Sequence, residues 1–249
     1  MLLTGTLSVC AAGYGAAAGV LLPRAVHRLA VGPGLPPRTH CPAGHALPPS
    51  WRGWAGAARC PRCPPASAAY GPGGRFYVVA GALLCAGLAA AVGPRPELAV
   101  WLLLAPFGLL LASVDRRVRR LPDVLTLPMA VATAALLGVA SLLPGAGGSW
   151  VRALLGGAAL AGAYFLLFVV HPRGLGFGDV KLALTLGVAL GWYGWPPLLA
   201  GAFLGFLLLA CYGGALMLSG RAGRRTLVPF GPFMVLGAAL GLLLGGAGA

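Results

Sequence analysis

The amino-acid sequence predicts an all-helical protein that crosses a lipid bilayer several times. Of its 249 residues, 59% are hydrophobic and only 9% are charged, whereas about a quarter of the residues of a soluble globular domain are charged. A soluble core could not bury this much apolar surface, so a bilayer is the natural solvent. The chain is long enough for several membrane spans of about 20 residues each.

Eight apolar stretches follow one another along the chain and predict about eight transmembrane helices. The sixth stretch is short and could extend through Trp195. The stretches are Leu2–Leu22, Phe76–Val92, Leu98–Val114, Val124–Leu143, Val151–Val170, Val180–Trp192, Pro197–Leu218 and Phe230–Leu244.

The basic residues alternate from one connecting loop to the next. Of the 18 lysines and arginines, all except Arg95 and Arg152 follow the first, third, fifth or seventh stretch. Because cytoplasmic loops are rich in Lys and Arg, we expect the N-terminus outside and the basic loops inside. The residues on the inner side are Arg24, Arg28, Arg38, Arg52, Arg59, Arg62, Arg75, Arg116, Arg117, Arg119, Arg120, Arg173, Lys181, Arg221, Arg224 and Arg225.

This distribution argues against two other interpretations of the basic chain. Nucleic-acid binding needs basic residues gathered on one face, but here they punctuate apolar runs, so no nucleic-acid partner is expected. A cleaved signal peptide normally starts with a positive segment. Residues Met1–Gly19 carry no charged side chain, so the first stretch is predicted to be a retained span.

Only four residues are acidic, which makes each of them informative. An ionisable side chain at membrane depth is costly and is a functional candidate by default. Asp115 ends the third stretch and Asp179 lies where the sixth begins, so the topology places both at the cytoplasmic boundary. Glu97 lies in the short outer connection and is predicted to be a solvated residue at a helix start. Asp123 follows Pro122 and is interpreted as the N-cap of the fourth helix.

Asp115 and Asp179 could act as an acid–base pair if the third and sixth spans are neighbours. One carboxylate would act as the base towards a water molecule while the other, protonated, polarises a scissile carbonyl. Simpler alternatives remain open, because Asp179 could cap the sixth helix and Asp115 could pair with Arg116 or Arg119. An ion or proton pathway also keeps carboxylates in the membrane.

The glycines at positions 174, 176 and 178 precede the sixth stretch. A Gly-rich segment before a helix can bind phosphate, but no strand precedes this one and Asp179 stands where a phosphate would sit. Glycine at these positions is expected to allow a tight turn and the close approach of a peptide substrate.

The segment between the first and second stretches contains a cluster of cysteine and histidine. Cys41 and His45 precede a Cys-x-x-Cys pair, Cys60 and Cys63, and this spacing suits a tetrahedral structural zinc site. The reducing cytoplasm argues against disulfides; a Pro-rich loop with free thiols is the alternative. The other cysteines lie in apolar stretches and are predicted to be small core residues; they are Cys10, Cys85 and Cys211.

Three motifs in this order resemble those of the prepilin peptidases, the type IV leader peptidase family of bacterial membrane aspartyl proteases of the Gly-x-Gly-Asp type. The resemblance extends from about Phe76 to the C-terminus. The motifs are Asp115 with the following basic segment and Leu121-Pro122-Asp123, then Gly176-Phe177-Gly178-Asp179-Val180-Lys181, and finally Pro229-Phe230-Gly231-Pro232-Phe233.

The resemblance implies that Asp115 and Asp179 are catalytic. It also implies supporting or substrate-binding roles for Asp123, Gly176, Gly178 and Lys181. Members of the family remove the basic leader from type IV prepilins and pseudopilins, at the cytoplasmic edge of the pilin helix, in the bacterial inner membrane.

The resemblance also bears on the Cys/His loop. Many members of the family carry two Cys-x-x-Cys pairs there, whereas Gly44 stands here where a Cys is expected, so His45 or His40 must substitute. Some members N-methylate the new pilin N-terminus with S-adenosylmethionine. The loop of this chain has neither an acidic residue nor Asn, so methylation is only weakly indicated.

The predicted organisation is a first transmembrane helix (1–23), a cytoplasmic Cys/His loop (24–75) and a transmembrane aspartyl protease domain (76–249). Two rival functions use the same features differently. A transporter or channel would use the aspartates for ion or proton passage, whereas a membrane scaffold would depend on Cys60 and Cys63 instead. The oligomeric state and the particular pilin are not indicated by the sequence.

Overall fold

The computed structural model describes residues 2–32, 34–172, 174–221, 223 and 226–248, and in this part of the chain all long elements are α-helices. Three of the arginines predicted on the inner side, Arg173, Arg224 and Arg225, lie outside the described residues. The helices are α1 (Leu2–Leu29), α2 (Gly74–Val92), α3 (Glu97–Val118), α4 (Asp123–Ser141), α5 (Trp150–Val170), α6 (Phe177–Gly191), α7 (Trp195–Leu218) and α8 (Gly231–Gly248).

The prediction of an all-helical membrane protein is confirmed. Seven of the eight described helices are long and apolar enough to cross a membrane. The exception is α6, whose 15 residues span about 22 Å, less than the hydrocarbon core of about 30 Å. It is also the helix with the largest buried share, since ten of its 15 residues are buried, and α4, α5, α7 and α8 all pack against it. The helix that carries Asp179 is therefore an interior element.

Glycine seams join the helices into antiparallel pairs. A Cβ atom added to Gly15 of α1 would lie 2.1 Å from the carbonyl oxygen of Gly81 in α2. The same applies to Gly156 of α5, which would clash with the Gly187 carbonyl at 2.7 Å. Without a hydrophobic driving force between helices in lipid, close backbone packing at small residues is a main source of association. The α5–α6 seam thus fixes the helix that carries Asp179.

The helix α1 continues to Leu29, past the predicted end of its apolar stretch at Leu22. Its last two turns therefore extend beyond the apolar segment and carry Arg24 and Arg28, which contact the Cys/His loop.

The predictions for three residues are wrong. Glu97 is not solvated: it is the first residue of α3 and is 0% exposed. Cys10 and Cys211 are not core residues, because both are exposed on the outside of the helix bundle, and only Cys85 of the three is buried. A small side chain in an apolar run fits a lipid-facing position as well as a core position.

The seam between α5 and α6 predicts opposite outcomes for two glycines of the same helix. Gly156→Ala forces α6 away and is expected to lower stability by about 1–3 kcal/mol, as overpacking does. Gly162 has no neighbouring atom within 4 Å of an added Cβ, so Gly162→Ala should leave the melting temperature unchanged or higher. Thermal unfolding of both variants in detergent micelles tests this; equal melting temperatures would contradict the seam.

Candidate active site and metal centre

Asp115 lies one turn before the end of α3 and is 4% exposed. The backbone N–H of Gly231, the first residue of α8, donates a hydrogen bond to its Oδ2 atom at 2.9 Å. A Cβ atom on Gly231 would lie 2.9 Å from the same oxygen. Glycine therefore allows the start of α8 to approach the carboxylate and supply an N–H donor at a helix N-terminus, where negative charge is favoured.

Asp179 lies in the first turn of α6 and is 8% exposed. The N–H of Gly176 donates to its Oδ2 atom at 2.9 Å. Asp179 thus caps α6, as one simple alternative predicted, yet it is also buried beside the second carboxylate. In the described part of the chain no hydrogen bond reaches the Oδ1 atom of either Asp115 or Asp179. Each carboxylate keeps one oxygen available for a water molecule.

The two carboxylates are brought to the same end of the bundle. Their charges are close enough to interact. Gly178 contributes to this approach, because an added Cβ would lie 3.1 Å from the Cβ of Leu121 in the α3–α4 connection. The predicted convergence of Asp115 and Asp179 is therefore what the fold produces.

The helices α3 and α6 do not reach this arrangement by packing along their length. Each packs against α4 and α8, and they face each other across an apolar cavity of about 60 Å³. Trp101 and Ala105 of α3 line one side of the cavity, and Leu182 and Ala189 of α6 line the other. The separation of the aspartates is consequently set at the helix ends and through neighbouring helices.

Asp123 and Lys181 form an ion pair beside the carboxylates. Asp123 is the first residue of α4 and makes no capping hydrogen bond, so the N-cap interpretation is wrong; Pro122 occupies the cap position. Asp123 Oδ1 lies 2.7 Å from Lys181 Nζ, and the ammonium group lies 5.0 Å from the Phe177 ring centroid. The pair ties α4 to α6. Asp115 makes no ion pair with Arg116 or Arg119 within the described residues.

An aromatic cluster next to the aspartates was not predicted. The rings of Tyr164 in α5 and Phe230 are stacked at 5.8 Å with an interplanar angle of 4°, and Phe206 of α7 contacts both. Tyr164 is buried and lies close enough to Asp179 to interact with its charge. Phe230 directly precedes Gly231. In the sequence, only the Pro229–Phe233 motif indicated that this segment belongs to the site. Its residue types do not reveal that the backbone N–H of Gly231 is the hydrogen-bond donor to Asp115.

Comparison with known proteins identifies the family. A family profile described as the type IV leader peptidase family matches residues 102–219, which include both aspartates. A prepilin leader peptidase/N-methyltransferase of Burkholderia pseudomallei (strain 1026b) is 32% identical over 230 residues, covering 84% of this chain and 68% of that protein. The chain belongs to the type IV leader peptidase family.

Shorter matches agree with this assignment. The prepilin leader peptidase/N-methyltransferase of Bacillus subtilis (strain 168) is 39% identical over 100 residues, covering 39% of this chain and 38% of that protein. The Escherichia coli (strain K12) protein of the same description is 34% identical over 142 residues, covering 55% and 59%. No solved structure matches the chain. As a member of this family, the chain is a peptidase and a multi-pass membrane protein.

The chain also carries a compact Cys/His cluster that could hold a metal ion, and this cluster lies outside the residues matched by the family profile. One ligand atom from each of Cys41, His45, Cys60 and Cys63 lies within 4.8 Å of the others. His45 Nδ1 is 3.3 Å from Cys63 Sγ and 3.6 Å from Cys41 Sγ, and the sulfurs of Cys41 and Cys63 are 3.9 Å apart. Zn–S bonds of about 2.3 Å in a tetrahedron place sulfurs about 3.8 Å apart, so the four residues fit zinc.

Two tight turns present the ligands. Isolated bridges pair His40 with Ala46 and Arg59 with Ala69, and each bridge closes one turn. Gly44 has a φ of 82°, which a Cys would adopt only with strain, so the turn places His45 one residue later as the ligand. His40 instead faces solvent, and its Nδ1 contacts Thr39 Oγ1. The choice left open between the two histidines falls on His45.

The close packing of the cluster shifts the pKa values of the Cys41 and Cys63 thiols. Burial raises the pKa of the Cys41 thiol, but hydrogen bonds from the backbone of His45 and Ala43 outweigh it and lower the pKa to about 7. Burial and the adjacent thiols raise the pKa of Cys63 to about 11. A bound zinc ion would deprotonate such thiols, because metal ligation requires the thiolate.

Arginines of α1 hold the Cys/His loop against the bundle. Arg24 Nε donates to the Ala57 carbonyl at 2.8 Å. Arg28 is buried, donates to the Pro48 carbonyl at 3.3 Å and lies 4.3 Å from the Trp54 ring centroid. The loop lies at the same end of the bundle as the aspartates, because Arg120, five residues after Asp115, donates to the Gly32 carbonyl at 2.8 Å.

The metal centre predicts one zinc ion per chain, held by three cysteines and His45. Cys60→Ser and His45→Ala are each expected to remove most of the zinc from the purified full-length protein, because each change leaves the ion with three of its four protein ligands. Cys211→Ser and His40→Ala are the matched controls and should retain it. Metal analysis by mass spectrometry gives the number of zinc ions per chain. The ligand assignment would be contradicted if His40→Ala lost the zinc and His45→Ala retained it.

Proposed function

We propose that this chain is an aspartyl endopeptidase that removes the basic leader from type IV prepilins or pseudopilins at the cytoplasmic boundary of the inner membrane. The observation that carries the proposal is the pairing of Asp115 and Asp179, two buried carboxylates at the same end of the bundle. In each of them, one oxygen accepts a backbone N–H and the other accepts no hydrogen bond from the described residues. The relatives, whose names state prepilin leader peptidase activity, supply the substrate class.

Hydrolysis follows from the pair holding one proton between them. A water molecule bound between the Oδ1 atoms loses a proton to the ionised carboxylate as its oxygen attacks the scissile carbonyl carbon. The protonated carboxyl donates a hydrogen bond to the carbonyl oxygen and stabilises the charge that develops there. When the C–N bond breaks, the leaving amine takes up a proton from the pair, and both carboxyl groups return to their starting state.

The depth of the pair suits this substrate. Asp115 ends a transmembrane helix and Asp179 begins an interior one, so the scissile bond would be bound where an apolar helix leaves the bilayer. With the N-terminus outside, as the distribution of arginines favours, this boundary and the Cys/His loop lie on the cytoplasmic side. A pilin whose leader precedes its hydrophobic helix presents its cleavage site at that level.

The rival functions explain less of the site. An ion pathway needs a polar passage on both sides of the aspartates, whereas the cavity between α3 and α6 is lined almost wholly by apolar groups. A scaffold gives no reason for a short interior helix that positions Asp179 against its partner. Membership of a peptidase family favours proteolysis over both.

Both aspartates are required by this mechanism. Asp115→Asn and Asp179→Asn should each lower the cleavage rate by at least about 10²–10⁴-fold, the range for loss of a general acid or base, while the protein still inserts. Cys211→Ser is the control: it changes an exposed side chain of α7, so the cleavage rate should stay within about twofold of the wild-type rate. Cleavage of a prepilin in detergent is followed by gel shift; near-normal cleavage by either Asn variant would refute the assignment.

The N–H donor at Gly231 provides a second prediction. Gly231→Ala pushes a methyl group against the Asp115 carboxylate and should reduce cleavage by about 10-fold or more, since small misplacements of catalytic groups are costly. Gly213→Ala in α7, where an added Cβ meets no atom within 4 Å, is the matched control. Equal cleavage rates for the two variants would show that the start of α8 does not position Asp115.

The relatives are also named N-methyltransferases, which favours a second activity, and we propose the mature pilin as its substrate and S-adenosylmethionine as its methyl donor. The Cys/His loop would be its location, although that loop offers neither carboxylate nor Asn to bind the cofactor. Incubating purified enzyme with prepilin and labelled S-adenosylmethionine tests it. Label in the mature pilin would establish methylation, and cleavage without label would restrict the chain to proteolysis.

A further inference from the structure

A buried polar network lies at the end of the bundle opposite the aspartates. Glu97, which starts α3, is 0% exposed. Its Oε1 atom accepts a hydrogen bond from the N–H of Gly147 at 3.1 Å and one from the Tyr193 hydroxyl at 3.5 Å. Trp101 Nε1 in turn donates to the Tyr193 hydroxyl oxygen at 3.0 Å. Neither the proposed cleavage nor the metal centre uses these groups.

The network connects the segments that carry the two aspartates. Tyr193 lies two residues beyond the end of α6, while Glu97 and Trp101 belong to α3. Gly147 lies in the α4–α5 connection, and the neighbouring Arg95 donates to the Gly246 carbonyl of α8 at 3.1 Å. The outer ends of α3, α6 and α8 are thereby tied together by hydrogen bonds.

This arrangement is costly for a purely structural contact. The Oε2 atom of Glu97 is buried without a hydrogen-bond partner among the described residues, and such a group carries a desolvation penalty. An apolar side chain of similar size would avoid the penalty. Buried polar networks are directional, however, and fix one geometry where apolar contacts allow sliding.

Directional contacts are needed between these two helices in particular. Because α3 and α6 face each other across a cavity of about 60 Å³, direct packing does not fix their separation. Asp115 lies 18 positions after Glu97 on α3, about 27 Å along a straight helix. A change in helix tilt at the outer end is therefore transmitted to the carboxylate at the inner end.

We propose that Glu97 and Tyr193 are positioning residues that set the spacing of Asp115 and Asp179 from the opposite end of the bundle. The proposal rests on the proposed function, since it assigns the network a role in the aspartate chemistry. The network acts through α3, which contains Pro106 between Glu97 and Asp115, and through α6, and it touches no substrate.

The test is the pH dependence of prepilin cleavage by the full-length protein. Two coupled carboxylates give a bell-shaped profile whose width depends on their separation, and partial loss of folded protein lowers the profile without changing its width. Tyr193→Phe removes the hydroxyl that joins Glu97 to Trp101 and should change the width by about half a pH unit or more, with the peak rate falling several-fold. The other titratable side chains described near the pair are Tyr164, Asp123 and Lys181, and all three are left intact.

Matched variants separate positioning from stability. Thr133→Val removes a buried hydroxyl hydrogen bond, to the Met129 carbonyl at 2.7 Å, from α4, which carries neither aspartate; its profile should keep the wild-type width. Glu97→Gln retains an acceptor for Gly147 and Tyr193 and should also keep it, whereas Glu97→Ala should behave as Tyr193→Phe does. Trp101→Phe breaks the same network one bond further away and replaces Tyr193→Phe if that variant fails to insert.

The outcomes distinguish this proposal from the proposed function. If both Asn variants of the aspartates are inactive but Tyr193→Phe and Glu97→Ala keep the wild-type width, the positioning role is overturned and the aspartate mechanism stands. If Asp115→Asn or Asp179→Asn cleaves normally, the aspartate mechanism itself fails, whatever Tyr193→Phe does. A changed width in Tyr193→Phe with an unchanged width in Thr133→Val supports positioning.

Discussion

The structure depends on keeping two carboxylates, Asp115 and Asp179, buried in an apolar bundle, where neither forms an ion pair with a cation of the described residues. Burying an ionised group is expensive unless hydrogen bonds replace its hydration. Here each carboxylate receives one backbone N–H at the start of a helix, from Gly231 for Asp115 and from Gly176 for Asp179. Backbone donors at helix starts stabilise negative charge and occupy only the Oδ2 atom of each carboxylate. The Oδ1 atoms therefore remain available to bind water and substrate.

The rest of the bundle follows from that requirement. α6 is short and surrounded, so that its first turn places Asp179 inside the protein at the membrane boundary. Glycine seams hold it against α5, and the close approach of Gly178 to Leu121 joins the two motif-bearing segments. The Cys/His loop, held by Arg24 and Arg28, covers the same end.

Much of this architecture could be predicted from the sequence, because its signals are local. Apolar stretches of helical length reveal the helices, and a carboxylate in an apolar run stands out by composition. Asp115 ends the third apolar stretch and Asp179 lies at the start of the sixth. Because successive stretches cross the membrane in opposite directions, both residues are predicted on the same side. The grouping of Cys41, Cys60 and Cys63 followed from ligand spacing, and only the histidine had to be decided by the turn at Gly44.

The features that escaped prediction depend on contacts distant in sequence. Glu97 looks like a solvated helix start until Gly147 and Tyr193, 50 and 96 residues away, enclose it. The sequence places Asp123 at a helix-capping position, but in the structure its carboxylate forms an ion pair with Lys181, 58 residues later in the chain. The Gly231 donor is a main-chain atom 116 residues from its acceptor, which residue type does not reveal.

In the proposed mechanism, Asp115 and Asp179 act together on one scissile carbonyl. This joint action is tested by the binding of a prepilin peptide in which a hydroxyethylene unit, –CH(OH)–CH2–, replaces the scissile amide and mimics the tetrahedral intermediate between two carboxyl groups. The dissociation constant of the analogue should be at least about 10²-fold below that of the unmodified peptide, as for transition-state analogues. In Asp115→Asn and in Asp179→Asn, this difference in affinity should be lost. An analogue that binds no tighter than the peptide, or equally well to either variant, would contradict this mechanism.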